Sequence, residues 1–196
     1  MAILKKKKKS TKCIKAEYKI LLNEKEINQT QFLTENYIYT EAGEKKIIYL
    51  PEKDNQYIID SKKKQLKVLD LSAQMMQMNQ IKGIIGEITK EEKTENDIRY
   101  ISMQNNSESP AQLKVNLQII KSSGLENTAY QKFNEFQESM QMFILNLQAN
   151  EIIKLSESIF TFNGQEQKTK LEFINIEDYT DNISDIDAYC NYKIVK

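Results

Sequence analysis

Between Glu177 and Asp187 the chain reads EDYTDNISDID, five carboxylates in eleven residues. The first chemistry such a run suggests is calcium, a hard cation that collects about six to eight oxygen ligands. The spacing argues against it: Ile183 stands where an EF-hand loop needs its turn glycine, and Tyr189 where it needs the bidentate glutamate. A solvated acidic loop is the better account of the run. Paired acids could also work as a glycosidase without histidine. That chemistry calls for a sugar-stacking cleft and an acid whose pKa is raised by apolar surroundings. Tryptophan is absent, and no Asp or Glu sits in an apolar strand context.

Histidine is absent as well, which removes Ser/His and Cys/His nucleophilic sites and histidine metal sites. The five glycines, Gly43, Gly83, Gly86, Gly124 and Gly164, form neither GxGxxG nor GxxxxGK[ST], so phosphate-cradling loops are missing too. Cys13 and Cys190 lie near opposite ends of the chain without a CxxC partner, which excludes a thioredoxin-like or metal reading. A strand seam could bring them together, and whether they pair is a matter of geometry. The expectation is a protein without catalytic residues, metal or cofactor.

Two apolar stripes remain as candidate binding residues. LSAQMMQMNQIKGIIGE, from Leu71 to Glu87, places Met75, Met76 and Met78 within four positions, three of the seven methionines. Leu71, Met75, Met78, Ile81 and Ile85 recur at helical spacing, with Ser72 as an N-cap and Gly83 and Gly86 at the end. Downstream, TAYQ at Thr128 to Gln131 has capping-box spacing. It opens a second stripe of Tyr130, Phe133, Phe136, Met140, Phe143, Ile144 and Leu147, with an end at Asn150. Such stripes ordinarily close a core. Methionine, however, re-packs around varied apolar partners, so the same stripes could line a pocket. The candidate lining is Met75, Met78, Ile81, Ile85, Phe133, Phe136, Met140 and Phe143, and the filled-core reading stays open beside it.

The elements that would position these stripes are mostly strands. Ile14, Ala16, Tyr18, Ile20 and Leu22 alternate with Lys15, Glu17 and Lys19, a half-buried strand. Runs at 29–40, 45–50, 55–60 and 65–71 follow, separated by EAGE, PEKD and SKKK turns, and together they predict a five-stranded antiparallel meander. After the first helix and a charged loop come strands at 96–103 and 111–120. The second helix precedes a hairpin at 157–177, whose Asn163-Gly164 pair selects a type I′ turn. The tail 187–196 can add a last strand. With no internal linker, residues 14–196 read as one α+β domain, a large antiparallel sheet with two amphipathic helices covering one face.

Composition fits this: 40% apolar and 29% charged residues are globular proportions. Net charge is zero, but eight lysines stand against Glu17 up to residue 19, so the rest carries a matching negative excess. Residues 1–13 read as a basic, disordered arm, whose Lys5 to Lys9 could touch an anionic membrane. Arg99 is the only arginine, which argues against specific nucleic-acid binding. No apolar h-region follows the lysines and no stretch reaches membrane-span length. Localisation is therefore cytoplasmic if this terminus is native, and periplasmic or cell-envelope if an export signal was removed.

The element order resembles a known family. The meander YIYTEAGEKKIIYLPEKDNQYIIDSKKKQLKVLDLS, then helix, strands, second helix, hairpin and a terminal strand ending YCNYKIV, is similar to the bacterial lipoprotein-carrier (LolA/LolB-like) superfamily. The likeness spans residues 14–196 and rests on element order and strand pattern. It implies an antiparallel half-barrel with the two helices as a lid on its concave face, over an apolar cavity for acyl chains. The function it implies is non-enzymatic binding of an acyl ligand or a lipidated protein by a monomer. The competing expectation is a ligand-free module with a filled core, binding another protein through a sheet edge or helix face.

Overall fold

A computed structural model describes residues 13–106, 108–139, 145–179 and 183–195. The basic segment 1–12, Met140 and Phe143 lie outside the described residues. The fold is α+β, with one large sheet and, among the described residues, three α-helices. Six strands run as a meander: β1 (Cys13–Leu22), β2 (Lys25–Thr34), β3 (Ile38–Ala42), β4 (Lys45–Leu50), β5 (Asn55–Asp60) and β6 (Gln65–Val68). The expected single strand at 29–40 is two, because Thr34 makes a turn. Its hydroxyl accepts the N–H groups of Asn36 at 3.2 Å and Tyr37 at 3.0 Å. A Thr side chain that mimics backbone in this way competes with the ladder.

Helix α1 (Ser72–Ile85) follows, then β7 (Ile88–Glu95), β8 (Ile98–Asn105) and β9 (Ala111–Lys121). Residues 87–95, read from sequence as a charged loop, are mostly β7. This strand sits at the sheet's outer edge and is exposed almost throughout. An edge strand needs no apolar face, and its lysines and glutamates discourage pairing with other chains. Ser72 does not cap α1, since its hydroxyl donates to Asp70 at 2.6 Å. The helix stops at Gly86, whose φ of 75° is open chiefly to glycine.

After a single 3₁₀ turn (Leu125–Asn127) comes α2 (Tyr130–Ser139). Thr128 accepts the Tyr130 N–H at 3.2 Å as expected of a cap. Gln131 instead bonds to Glu135 and does not close the box. Helix was expected up to Asn150, but residues 145–148 are irregular and Leu145 and Leu147 lie in that stretch. A long hairpin, β10 (Glu151–Phe162) and β11 (Gln165–Tyr179), turns through Asn163 and Gly164 at φ of 50° and 74°. Two positive φ values in succession are the type I′ signature. The acidic run is not a loop throughout: its first residues end β11, and its last belong to α3 (Ile183–Tyr189), which leads to β12 (Lys193–Val195).

The twelve strands form one open sheet in the order β12-β6-β5-β4-β3-β2-β1-β11-β10-β9-β8-β7. Every pairing is antiparallel except β12 on β6. Directly paired residues share a face, so the register defines two faces. The first carries Ile14, Ala16 and Tyr18, then Leu33, Ile38 and Tyr49, packed under Leu125, Tyr130, Phe133 and Phe136. It continues through the pairs Ile20 with Leu171, Leu171 with Ser156, Ser156 with Leu117 and Leu117 with Ile101. There it meets Met103, Val115 and Ile119, covered by Ile85 of α1 and by Leu145.

The second face carries Cys13, Phe32, Tyr39, Ile48, Tyr57 and Leu66, closed by Ile186 and Tyr189 of α3. Burial on both faces explains why 31–34 and 48–50 are continuously buried rather than alternating. Lys15 and Lys19 also lie on this face and pair with Glu17 at 2.7 Å and Glu26 at 2.8 Å.

Candidate functional site

A cavity of about 280 Å³ lies on the first face, between α2 and the sheet. From the strands come Tyr18, Gln29, Gln31, Thr40, Ile47, Gln56, Ile153 and Leu171. From α2 come Tyr130, Phe133, Asn134, Gln137 and Glu138, with Leu145 and Leu147 beyond it. The glutamines are there because of register: Gln29, Gln31 and Leu33 point the same way on β2, and Gln31 pairs with Ala16 on one side and Thr40 on the other. Gln31 and Gln56 are only 7% and 8% exposed. The cavity therefore has apolar walls and an amide floor.

Aromatic contacts hold α2 above that floor. The Tyr49 ring lies 5.3 Å from Phe133 and 5.1 Å from Phe136, centroid to centroid. Its hydroxyl is 3.2 Å from both the Lys132 carbonyl and an Asp54 carboxylate oxygen. Burial pushes the phenol of Tyr49 upward, with Asp54 adding to it. Burial likewise lifts Tyr18 well above the usual range and Tyr130 to about 12. Both phenols at the cavity are neutral at physiological pH. Among the described residues of the lining Glu138 is the one charged side chain, and none is a lysine or arginine.

The segment after α2 is fastened at both ends of one residue. Glu138 accepts the Leu145 N–H at 3.2 Å, and Arg99 donates to the Leu145 carbonyl at 3.4 Å. Arg99 also meets Glu92 at 3.2 Å and Glu151 at 2.7 Å. Glu151 in turn accepts the Gln148 N–H at 3.0 Å. The Glu92 carboxyl is held below the usual range, first by its hydrogen bond to Lys90 and then by Arg99. The lone arginine thus joins β7, β8 and β10 to the stretch that closes the cavity.

Of the residues expected to line a pocket, Phe133 does so, and Phe136 stacks beside it on Tyr49. Ile81 and Ile85 pack elsewhere, against the cluster of Ile101, Met103 and Leu113. Met75 is 42% exposed and Met78 half-buried, and among the described residues none from α1 lines this cavity. The two stripes consequently serve two clusters. The inward glutamines went unread in the sequence: even spacing from Leu33 gives the face of Gln29 and Gln31 on β2, but Gln56 is on β5, and nothing local says that α2 covers that face.

Two further recesses, of about 440 and 640 Å³, lie on the far half of the sheet and have mixed linings, with Leu117 and Leu155 in the first and Leu113 and Ile159 in the second. Tyr100, Ser102, Asn116 and Glu157 line the first, and Gln104, Gln112, Lys114 and Thr161 the second. Among the described residues no cluster of His, Cys, Asp or Glu could hold a metal ion, and no helix is long and apolar enough to cross a membrane. Cys13 and Cys190 are thiols that border the same apolar cluster on the second face. Burial, reinforced by Asp187, pushes the Cys13 thiol up to about 12. Comparison with known proteins matches the chain to no family model and to no curated protein.

Proposed function

We propose that this protein is a non-enzymatic binding module of the lipoprotein-carrier type, taking an acyl-bearing ligand or a lipidated protein. In this reading the sheet is a half-barrel whose concave side is the first face, with α1 and α2 as its amphipathic covers. The observation that carries it is the cavity under α2, walled by Tyr18, Phe133, Leu147 and Leu171. At about 280 Å³ it lies just below the roughly 300–1,000 Å³ typical of small-molecule sites. It suits a chain or ring better than a bulky molecule. Native mass spectrometry of protein purified from cells tests this, together with titration of an uncharged, environment-sensitive apolar dye. Saturable dye binding, displaced by acyl compounds, is the expected result, and its absence overturns the proposal.

A second reading is supported by α1. Met75 and Met76 are 42% and 65% exposed and form a soft apolar surface that no element among the described residues covers. Methionine surfaces suit varied protein partners, and this is the face a ligand-free interaction module would use. Retention of the dye by a Met75→Asp/Met76→Asp variant separates the two, because only the partner surface is altered.

A further inference from the structure

We infer that the ligand of the cavity under α2 presents an uncharged hydrogen-bonding group, an amide, ester or hydroxyl, and not an ionised carboxylate or phosphate. The inference rests on the binding reading above and narrows it to a ligand class. Gln31 and Gln56 are each more than nine-tenths buried, and both line the cavity from the sheet side. Thr40 stands directly opposite Gln31 on the neighbouring strand. Asn134 of α2 lines the same cavity, and its amide nitrogen is buried beside the Tyr130 phenol without a hydrogen bond of good geometry.

Primary amides both donate and accept, with two N–H groups and a carbonyl oxygen each. A ligand group that does both can satisfy several of them at once. An ionised head cannot do so here, because it would lose its water without finding a counter-charge. Among the described residues no lysine or arginine lines the cavity, and the one charged side chain in its lining is Glu138. That carboxylate repels a second anion. The apolar walls, Phe133, Leu147 and Leu171, take the hydrocarbon part. The class that fits is a neutral acyl amphiphile such as a monoacylglycerol or an N-acyl amide.

The test is a calorimetric titration of the full chain, at about pH 8 where a carboxylic acid is ionised, with three ligands of one chain length. These are monododecanoylglycerol, dodecanoate and dodecyl phosphate, each kept below its micelle concentration. The glycerol ester is expected to bind at least about tenfold more tightly than either anion. Gln31→Leu and Gln56→Leu should each shrink that ratio toward unity while leaving ester binding saturable. Thermal melts confirm that the variants fold, and Gln56→Met replaces Gln56→Leu should the latter fail. Equal or tighter binding of dodecanoate overturns the inference but leaves the acyl-binding reading standing. So does an unchanged ratio in both variants. No saturable binding of any of the three overturns both.

Discussion

Arg99 and Glu151 form an ion pair with a nitrogen to oxygen distance of 2.7 Å, their side chains only 16% and 6% exposed. Removing one partner of a buried pair leaves the other uncompensated, at a cost of about 3 to 5 kcal/mol. Because Arg99 keeps some solvent access and a second contact to Glu92, the lower end applies. Glu151→Ala should lose about 3 kcal/mol in urea unfolding near neutral pH. Replacing both members, as Arg99→Met with Glu151→Leu, should cost less than Glu151→Ala alone. An additive double variant would show that the pair carries no such coupling.

Phe133 and the α1 methionines should behave differently. Phe133→Ala removes a half-buried ring from both the cavity wall and the Tyr49 contact, so dye binding should weaken together with a loss of about 3 kcal/mol, the low end for such a truncation. Met75→Leu with Met78→Leu nearly conserves volume and should cost under about 1.5 kcal/mol. Since neither methionine lines the cavity, dye affinity should be unchanged. A drop in dye affinity in the methionine variant, without one in Phe133→Ala, would place the ligand under α1 instead.

Alkaline stability should be governed first by Cys13. Its thiol ionises at 9.0 in the open chain and at about 12 when folded. The unfolded state therefore sheds its proton first. The stabilisation is intact below pH 9 and disappears progressively as pH rises from 9 to 12. The buried phenols Tyr18, Tyr49 and Tyr130, all raised from 10.0, add further losses that begin one unit later. Urea midpoints measured from pH 7 to 11 should be level up to 9 and then fall, each group approaching about 1.4 kcal/mol per pH unit. Cys13→Ala should flatten the slope between pH 9 and 10 while lowering the whole curve.

Tyr37 anchors α3. Its hydroxyl donates to Asp187 at 2.8 Å, and hydrogen bonds to charged groups contribute about 1.5 to 3 kcal/mol. Tyr37→Phe should make the α3 segment open more often, which exposes Cys13 and Cys190 together. Labelling by a thiol reagent should then accelerate by at least about tenfold. Rates equal to wild type would mean that apolar contacts alone hold the helix.

What the sequence disclosed depends on how local the cause is. Asn163-Gly164 specifies its turn by backbone preference alone, and β1 announces its buried face through Ile14, Ala16 and Tyr18. Gly86 ends α1 for the same local reason. β7 was illegible because an exposed edge strand needs no apolar alternation. α3 was hidden by its carboxylates, since its burial depends on a single inward face carrying Ile186, with Tyr189 packed alongside. At the cavity, Phe133 was legible as part of a stripe. Gln31 and Gln56 were not, because a glutamine on a strand ordinarily faces water, and only the position of α2 turns these two into floor.

The N-terminal strand lies in the middle of the sheet, between β2 and β11. Its partners on one side arrive at once, but those on the other, from Thr169 to Tyr179, are synthesised only after β2 to β10. While the chain emerges from a ribosome, the β1 to β6 meander must wait with an open edge whose complement does not yet exist. Neither half of the sheet can be zipped to the other before β11 is complete, and long-range pairing of this kind is slow. Nascent chains ending before Gln165 should therefore be aggregation-prone and dependent on chaperones. Release of β11 is the moment at which the two halves become one sheet.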